Sequence, residues 1–396
     1  MQRRRFLELG TCLAALPLCR AGRLFAAPPE SPRFLLVFLR GGYDCANVLV
    51  PYASDFYYES RPNIAVARPE ANAGALALDA DWALAPSLRD TVGAMFRGKQ
   101  VAFVPFAGTD DLSRSHFETQ DDIERGQQAN AAYDSRSGFL ARLVSVLNGT
   151  SPPIAFTDAL PMIFRGARDV PNISLRAVGR PMLDERQAQI VASMYAGHRL
   201  HDAVSDGLEL RQEVARKFED EMQQANRGAI NAKGFALEAH RIARLMHEQY
   251  RLGFVDIGGW DTHVNEGSAS GQLANNLDNL GRGLATFADE LGPDWNDTVV
   301  VVVSEFGRTF RENGNRGTDH GHGSVHWVLG GGIAGGRIAG EQVRVARANL
   351  LQDRDLPVLN NYRMWLGGLF RRLWGLSESQ LDQVFPGATP RDLALV

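Results

Sequence analysis

Five uninterrupted apolar runs constrain what this chain can fold into more than any other feature of its sequence. They are FLLVFL (Phe34 to Leu39), VAFVPF (Val101 to Phe106), LGFVDI (Leu252 to Ile257), TVVVVV (Thr298 to Val303) and VHWVLG (Val325 to Gly330). A strand that alternates apolar and polar residues has one wet face, whereas a continuous β-branched or aromatic run needs cover on both. The runs therefore predict an α/β protein with a mostly parallel sheet. Helical patterning fills the intervals: between Asp202 and Tyr250 charged residues interleave with Leu208, Val214, Phe218, Met222, Ile242, Leu245 and Met246, with one break near Gly228, which predicts two long helices. His240 and His247, seven apart on the second of them, share a face and read as surface or core histidines. The chain shows no internal repeat or long low-complexity linker, and Ala71 to Pro86 reads as a surface loop. Residues 28–396 are read as a single domain, with 180–250 as a helical cover.

The first 27 residues read differently. QRRRFL (Gln2 to Leu7) is followed by an apolar stretch from Leu9 to Leu18 and by small residues at Ala26 and Ala27, the order of a twin-arginine export signal. The apolar stretch is too short to span a bilayer, so no stable membrane span is expected. A periplasmic or secreted location follows, with the twin-arginine machinery as a partner. Residues 1–27 contribute +4 to a net charge of −4, which leaves −8 for the remainder. A chain of that charge without clustered Lys and Arg is a poor nucleic-acid binder. Of three cysteines, Cys12 and Cys19 lie in the signal; Cys45 alone remains, which excludes an internal disulfide framework after export.

Ligands of open α/β sheets bind beyond the carboxyl ends of the strands, so polar residues that follow each run carry the functional reading. The first run ends in LRGGYDCAN, which sets Asp44 in a glycine-rich turn. The third ends in DIGGWDTH, with Asp256, Asp261 and His263 inside eight residues, a donor set that suits a divalent ion. The fourth ends in SEFGRT, where Glu305 can hold a metal and Arg308 can clamp a tetrahedral anion. TDHGHGSVHWVLGGG brings Asp319, His320, His322 and His326; the first three sit on a flexible loop, whereas His326 lies inside the run and reads as a buried, hydrogen-bonded histidine.

A hydroxyl nucleophile is also available. Ser115 precedes a helical stretch, where its oxygen would meet free backbone amides and the positive end of the helix dipole. Ser115 and Glu118 equally form an S-x-x-E capping box, a structural device. Ser113, Thr109 and water remain alternatives as nucleophile, and His116 is a candidate substrate contact.

Together FLRGGYD, SRSHFETQD, DIGGWDTH, VVVSEFGRTF, GTDHGHGSVHWVLGGG and NNYRMWLGGLFRR, running from Phe34 to the neighbourhood of Gly387, resemble the twin-arginine-exported proteins designated domain of unknown function 1501. These are grouped by fold with the sulfatases and alkaline phosphatases. The resemblance implies a three-layer α/β/α sandwich and, as in the better understood relatives, a pair of metal ions flanking a hydroxyl or formylglycine nucleophile; one or two divalent ions are expected in this chain. It casts Asp44 as the metal aspartate of the first strand, Asp256 or Asp261 with His263 as ligands of one ion, and His322 as that ion's second histidine. Glu305 stands where the phosphatases carry an adjacent Asp and His, yet Phe306 follows it, which removes an imidazole. No Cys-x-Pro-x-Arg signature of formylglycine sulfatases is present.

The expected function is an exported hydrolase or transferase of phosphate or other charged esters, acting on a small molecule or polymer with zinc, manganese or calcium. The alternative is an exported binding or assembly protein on the same scaffold without turnover.

Overall fold

In the computed structural model, which describes residues 31–128, 136–168, 170–173, 185–208 and 235–396, all five apolar runs are strands of one sheet. In chain order the strands are β1 (Arg33–Leu39), β2 (Leu49–Val50), β3 (Leu76–Ala77), β4 (Ala83–Leu84), β5 (Val101–Gly108), β6 (Pro153–Phe156), β7 (Leu252–Ile257), β8 (Thr298–Ser304), β9 (Ser324–Leu329), β10 (Arg337–Ile338) and β11 (Asn360–Asn361). The main sheet runs β10-β5-β9-β8-β1-β7-β6, with β11 also on β5; β2, β4 and β3 form a small antiparallel sheet. β1 lies between β7 and β8, parallel to both, with Val37 opposite Val255 on one side and Val302 on the other.

The exception to the parallel pattern is β9, antiparallel to both β5 and β8. No helix lies in the connection from Ser304 to Ser324, and a return without a crossover helix lays the next strand antiparallel. The amino end of β9 therefore lies at the same rim as the carboxyl ends of β1, β5, β7 and β8.

The helices are α1 (Asp55–Ser60), α2 (Val92–Arg97), α3 (His116–Arg125), α4 (Phe139–Leu147), α5 (Glu185–Met194), α6 (Phe235–Glu248), α7 (Gln272–Leu291), α8 (Tyr362–Trp374) and α9 (Glu378–Val384). Alternate residues of β1 enter opposite layers, as the pleat requires. Leu35, Val37 and Leu39 join a buried cluster with α2, α6, α7 and the small sheet. Phe34, Leu36 and Phe38 join the other, with α4, α8 and α9. The architecture is a three-layer α/β/α sandwich with a mostly parallel central sheet. Of the two helices expected between Asp202 and Tyr250, α6 is the second and helical residues 201–208 are where the first begins; residues 209–234 and the expected signal at 1–27 lie outside the described residues. On α6, His240 pairs with Glu290 and His247 with Asp294, each at 2.8 Å, the structural role expected of them. No helix among the described residues is long and apolar enough to cross a membrane.

Candidate functional site

Four chain segments meet at the carboxyl rim of the sheet. After β1 the chain turns through Gly41 (φ +126°) and Gly42 (φ +61°). A Cβ on Gly41 would stand 2.6 Å from the Asp261 backbone nitrogen, and one on Gly42 would stand 2.4 Å from the Phe306 ring. The two glycines thus let the β1 turn press against the segments after β7 and β8. The Gly41 N–H donates to Glu305 Oε1 at 2.8 Å. Beyond β8, Arg308 and His320 form an antiparallel bridge, which sets the loop before β9 across the site.

The fourth segment is α3. Ser115 caps it, its hydroxyl accepting the Glu118 N–H at 3.5 Å, while the Ser115 N–H turns to Ser113 Oγ at 3.3 Å. His116 is therefore the first helical residue, and Gln120 and Glu124 follow on the same face at intervals of one turn. That face meets buried Glu305, whose Oε1 accepts His116 Nδ1 at 2.8 Å and Gln120 Nε2 at 2.9 Å. Burial pushes the Glu305 carboxyl up, but the bonds from His116, Gln120 and Gly41 outweigh it and hold the group below its ordinary value.

Around this edge three imidazoles converge on Asp261. His116 Nε2, buried and without a hydrogen-bond partner, lies 3.5 Å from Asp261 Oδ2. His263 Nε2 and His320 Nε2 lie 2.9 and 3.3 Å from Asp261 Oδ1 and 3.1 Å from each other. The His116, Asp261 and His320 donor atoms all fall within 4.8 Å of one another. Each ring is anchored through Nδ1: His116 on Glu305, His263 on Asp319 Oδ1 at 3.2 Å, His320 on the Arg114 carbonyl at 3.0 Å. An acceptor at Nδ1 puts the ring proton there and leaves Nε2 as a lone pair, the arrangement that orients a metal-binding histidine. Two such lone pairs 3.1 Å apart repel, and a cation or a proton between them and Asp261 removes the conflict.

The local charges distinguish the rings, with His116 favouring its protonated form and His320 its neutral one. The bond to Glu305 raises the His116 value against burial, whereas burial and the neighbouring His116 charge lower that of His320. Arg308 donates from Nη1 to Asp261 at 2.8 Å and from Nε to Thr318 Oγ1 at 3.2 Å. Burial pushes Asp261 up, and the Arg308 charge and hydrogen bond more than reverse it, so Asp261 stays ionised. The buried Arg308 side chain touches the carboxylate of the cluster, and its Nη2 has no hydrogen-bond partner among the described residues.

Other expected site residues stand apart. Asp44 is buried and gripped by Arg61, whose Nη1 holds Oδ2 and whose Nη2 reaches Oδ1 at 3.0 Å. Burial pushes Asp44 up, but Arg61 overrides it; the adjacent buried Glu266 is driven well above its ordinary value by burial and by the Asp44 charge, and so stays protonated. Asp256 pairs with Arg40 at 2.7 Å, and Arg40 also donates to Gln120 and Glu124 at 2.8 Å each. Asp319 and Glu305 serve as Nδ1 acceptors rather than members of the converging set. His322 sits at a bend, buried, with its value lowered by burial, near Asp355 and Arg114. His326 is buried against Trp365, and neither ring nitrogen has a hydrogen-bond partner. The hydrogen bond expected of it is absent because its strand face points into an apolar layer, where burial depresses its value to about 3 and keeps it neutral.

The expected nucleophiles each carry a hydrogen bond. Ser115 caps α3, Ser113 Oγ bonds Asp111 at 2.8 Å, and Thr109 Oγ1 accepts the Asp111 N–H at 3.4 Å. Sequence reasoning missed Gln120, Arg40, Arg61, Arg114 and Glu266. Only Gln120 carried a signal, its one-turn spacing from His116.

A family described as "Protein of unknown function (DUF1501)" matches residues 31–385. No curated protein matches the chain. Among solved structures it aligns with a protein in the alkaline phosphatase superfamily from Vibrio parahaemolyticus at 11% identity, over 76% of this chain and 60% of that one, with a TM-score of 0.35. It aligns with the soluble domain of lipooligosaccharide phosphoethanolamine transferase A from Neisseria meningitidis at 12%, over 76% and 78%, TM-score 0.36. The third is the lipoteichoic acid synthase LtaP from Listeria monocytogenes, at 8%, over 93% and 78%, TM-score 0.40. Likeness at this level carries no argument about activity.

Proposed function

This chain belongs to the DUF1501 family, and from that premise we propose that it is an exported metal-dependent hydrolase or transferase acting on phosphate or other charged esters. The observation that supports the reading most is the set of three Nδ1-anchored imidazoles whose Nε2 atoms face Asp261. His116, Asp261 and His320 would hold a divalent ion such as zinc, manganese or calcium, with His263 beside them; nitrogen donors favour zinc over calcium. A bound ion supplies Lewis acidity toward an ester oxygen. The chain's own residues orient that chemistry. Glu305 and Asp319 fix the tautomers of His116 and His263, and Arg308 keeps Asp261 ionised and aimed.

The nucleophile would be Ser115, Ser113, Thr109 or a water; the Ser115 and Thr109 hydroxyls accept backbone N–H bonds, which leaves their own protons uncommitted. The twin-arginine pattern of Gln2 to Ala27 supports export in folded form to the periplasm or beyond. Metal analysis of protein purified without chelator, with a panel of chromogenic phosphate, phosphodiester and sulfate esters, tests the proposal. The expected result is bound metal that disappears in His116→Ala and His320→Ala, with turnover of at least one ester class. Metal binding without turnover across the panel supports instead a binding or assembly protein on this scaffold, and no bound metal refutes the metal-dependent reading.

A further inference from the structure

We infer that Arg114 is a positioning residue for the metal centre, one whose side-chain clamp on Asp355 holds the backbone carbonyl that orients His320. The inference rests on the metal reading above. Two of the three imidazoles are anchored by carboxylate side chains; His320 alone leans on backbone, donating from Nδ1 to the Arg114 carbonyl at 3.0 Å.

That carbonyl belongs to a residue in an unfavoured conformation. Arg114 has φ +53°, the left-handed region that residues with a Cβ rarely enter. Such a conformation persists where surrounding contacts over-determine it, and it concentrates at functional sites. Here the contacts are visible. Arg114 Nε and Nη2 reach Asp355 Oδ2 at 2.9 and 2.7 Å, and Nη2 donates to Gln352 Oε1 at 2.8 Å. Asp355 is fully buried and is itself held by Arg354 Nη1 at 3.0 Å. Its backbone bridges Leu351 and Thr309, so it is fixed to the segment that follows Arg308. The clamp thus ties the 109–115 loop to the element carrying Arg308 and turns the Arg114 carbonyl toward His320. The turn is also shaped by the Ser115 N–H to Ser113 Oγ bond on either side of it, but the clamp is what fastens Arg114 itself to the buried Asp355, and without it the His320 ring loses its tautomer and its aim.

The test titrates the full chain with zinc by competition and records the absorption spectrum of its cobalt(II) form, for wild type and for Arg114→Ala, Arg114→Gly and Arg114→Lys. Arg114→Ala should weaken zinc binding about 10- to 100-fold, the loss typical of removing an outer-shell partner, and should alter the cobalt(II) bands. Arg114→Gly tolerates the φ value but lacks the clamp, so it should behave like Ala. Arg114→Lys, which can still pair with Asp355, should recover part of the affinity. If wild type binds metal and both Ala and Gly bind it indistinguishably with unchanged spectra, the positioning role is overturned while the metal centre stands. If wild type binds neither zinc nor cobalt, the metal reading itself fails. Should Ala not fold, Gly carries the comparison.

Discussion

Two groups of strand-end acids lie at one rim of the sheet, and they differ in what neutralises them. In the inner group, Asp44 is gripped by Arg61 and Glu266 keeps its proton; Asn47, Thr262 and Thr318 satisfy the remaining oxygens. In the outer group, Asp261, paired with Arg308, faces the Nε2 atoms of three imidazoles on side chains that stay partly accessible. The inner group is electrically closed and the outer one is open to a cation. Each aspartate has an arginine partner, so what separates them is access: Asp261 keeps a part-exposed carboxylate turned to three imidazoles, whereas Asp44 is sealed in the core with Arg61.

The largest effect expected from testing this contrast is on stability. Arg61→Ala leaves Asp44 buried and uncompensated and should cost about 3–5 kcal/mol in chemical denaturation, with little change in metal affinity per folded molecule. The pH dependence has a definite sign. Because Arg61 lowers the folded value of Asp44, its stabilisation is complete above the ordinary aspartate range and is lost as pH falls through the lowered value. The variant should lack that acid-side loss.

Next in size are the ligands. His116→Ala or His320→Ala should reduce zinc affinity by more than about a hundredfold, beyond the range seen for outer-shell changes, with a denaturation midpoint close to wild type. Collapse of the fold in these variants would erase the distinction between an open and a closed group. Glu305→Gln probes the acceptor behind His116 and should weaken zinc by about 10- to 100-fold, since the amide anchors the imidazole less strongly.

The smallest effect is expected at Glu266. As its folded value is raised, stability is greatest below the ordinary glutamate range and declines as pH rises, because the unfolded chain ionises while the folded one does not. Glu266→Gln should lie within about 1 kcal/mol of wild type at pH 5 and flatten that decline toward pH 8, as read from urea midpoints. A steeper decline in the variant would mean that Glu266 is ionised in the native state.

The strands were legible because a continuous apolar run has few ways to be buried. Its direction was not, since β9 reads the same parallel or antiparallel, and β6 is only four residues long and begins with Pro153. Strand-end logic found the rim, and with it His116, Asp261, His263 and His320. It could not separate Asp44 from Asp261, because the guanidinium that closes the inner group comes from Arg61, a residue with no motif around it. Nor could it place His322, two residues beyond His320, which a bend leaves buried and outside the set facing Asp261. Outer-shell partners such as Arg40 and the Arg114 carbonyl are set by tertiary approach and leave no local pattern.

The most direct measurement is an anomalous difference map from crystals of the full chain soaked with zinc. The account predicts a single strong peak bounded by His116 Nε2, His320 Nε2 and the Asp261 carboxylate. A peak at Asp44, or none among these three side chains, would contradict it.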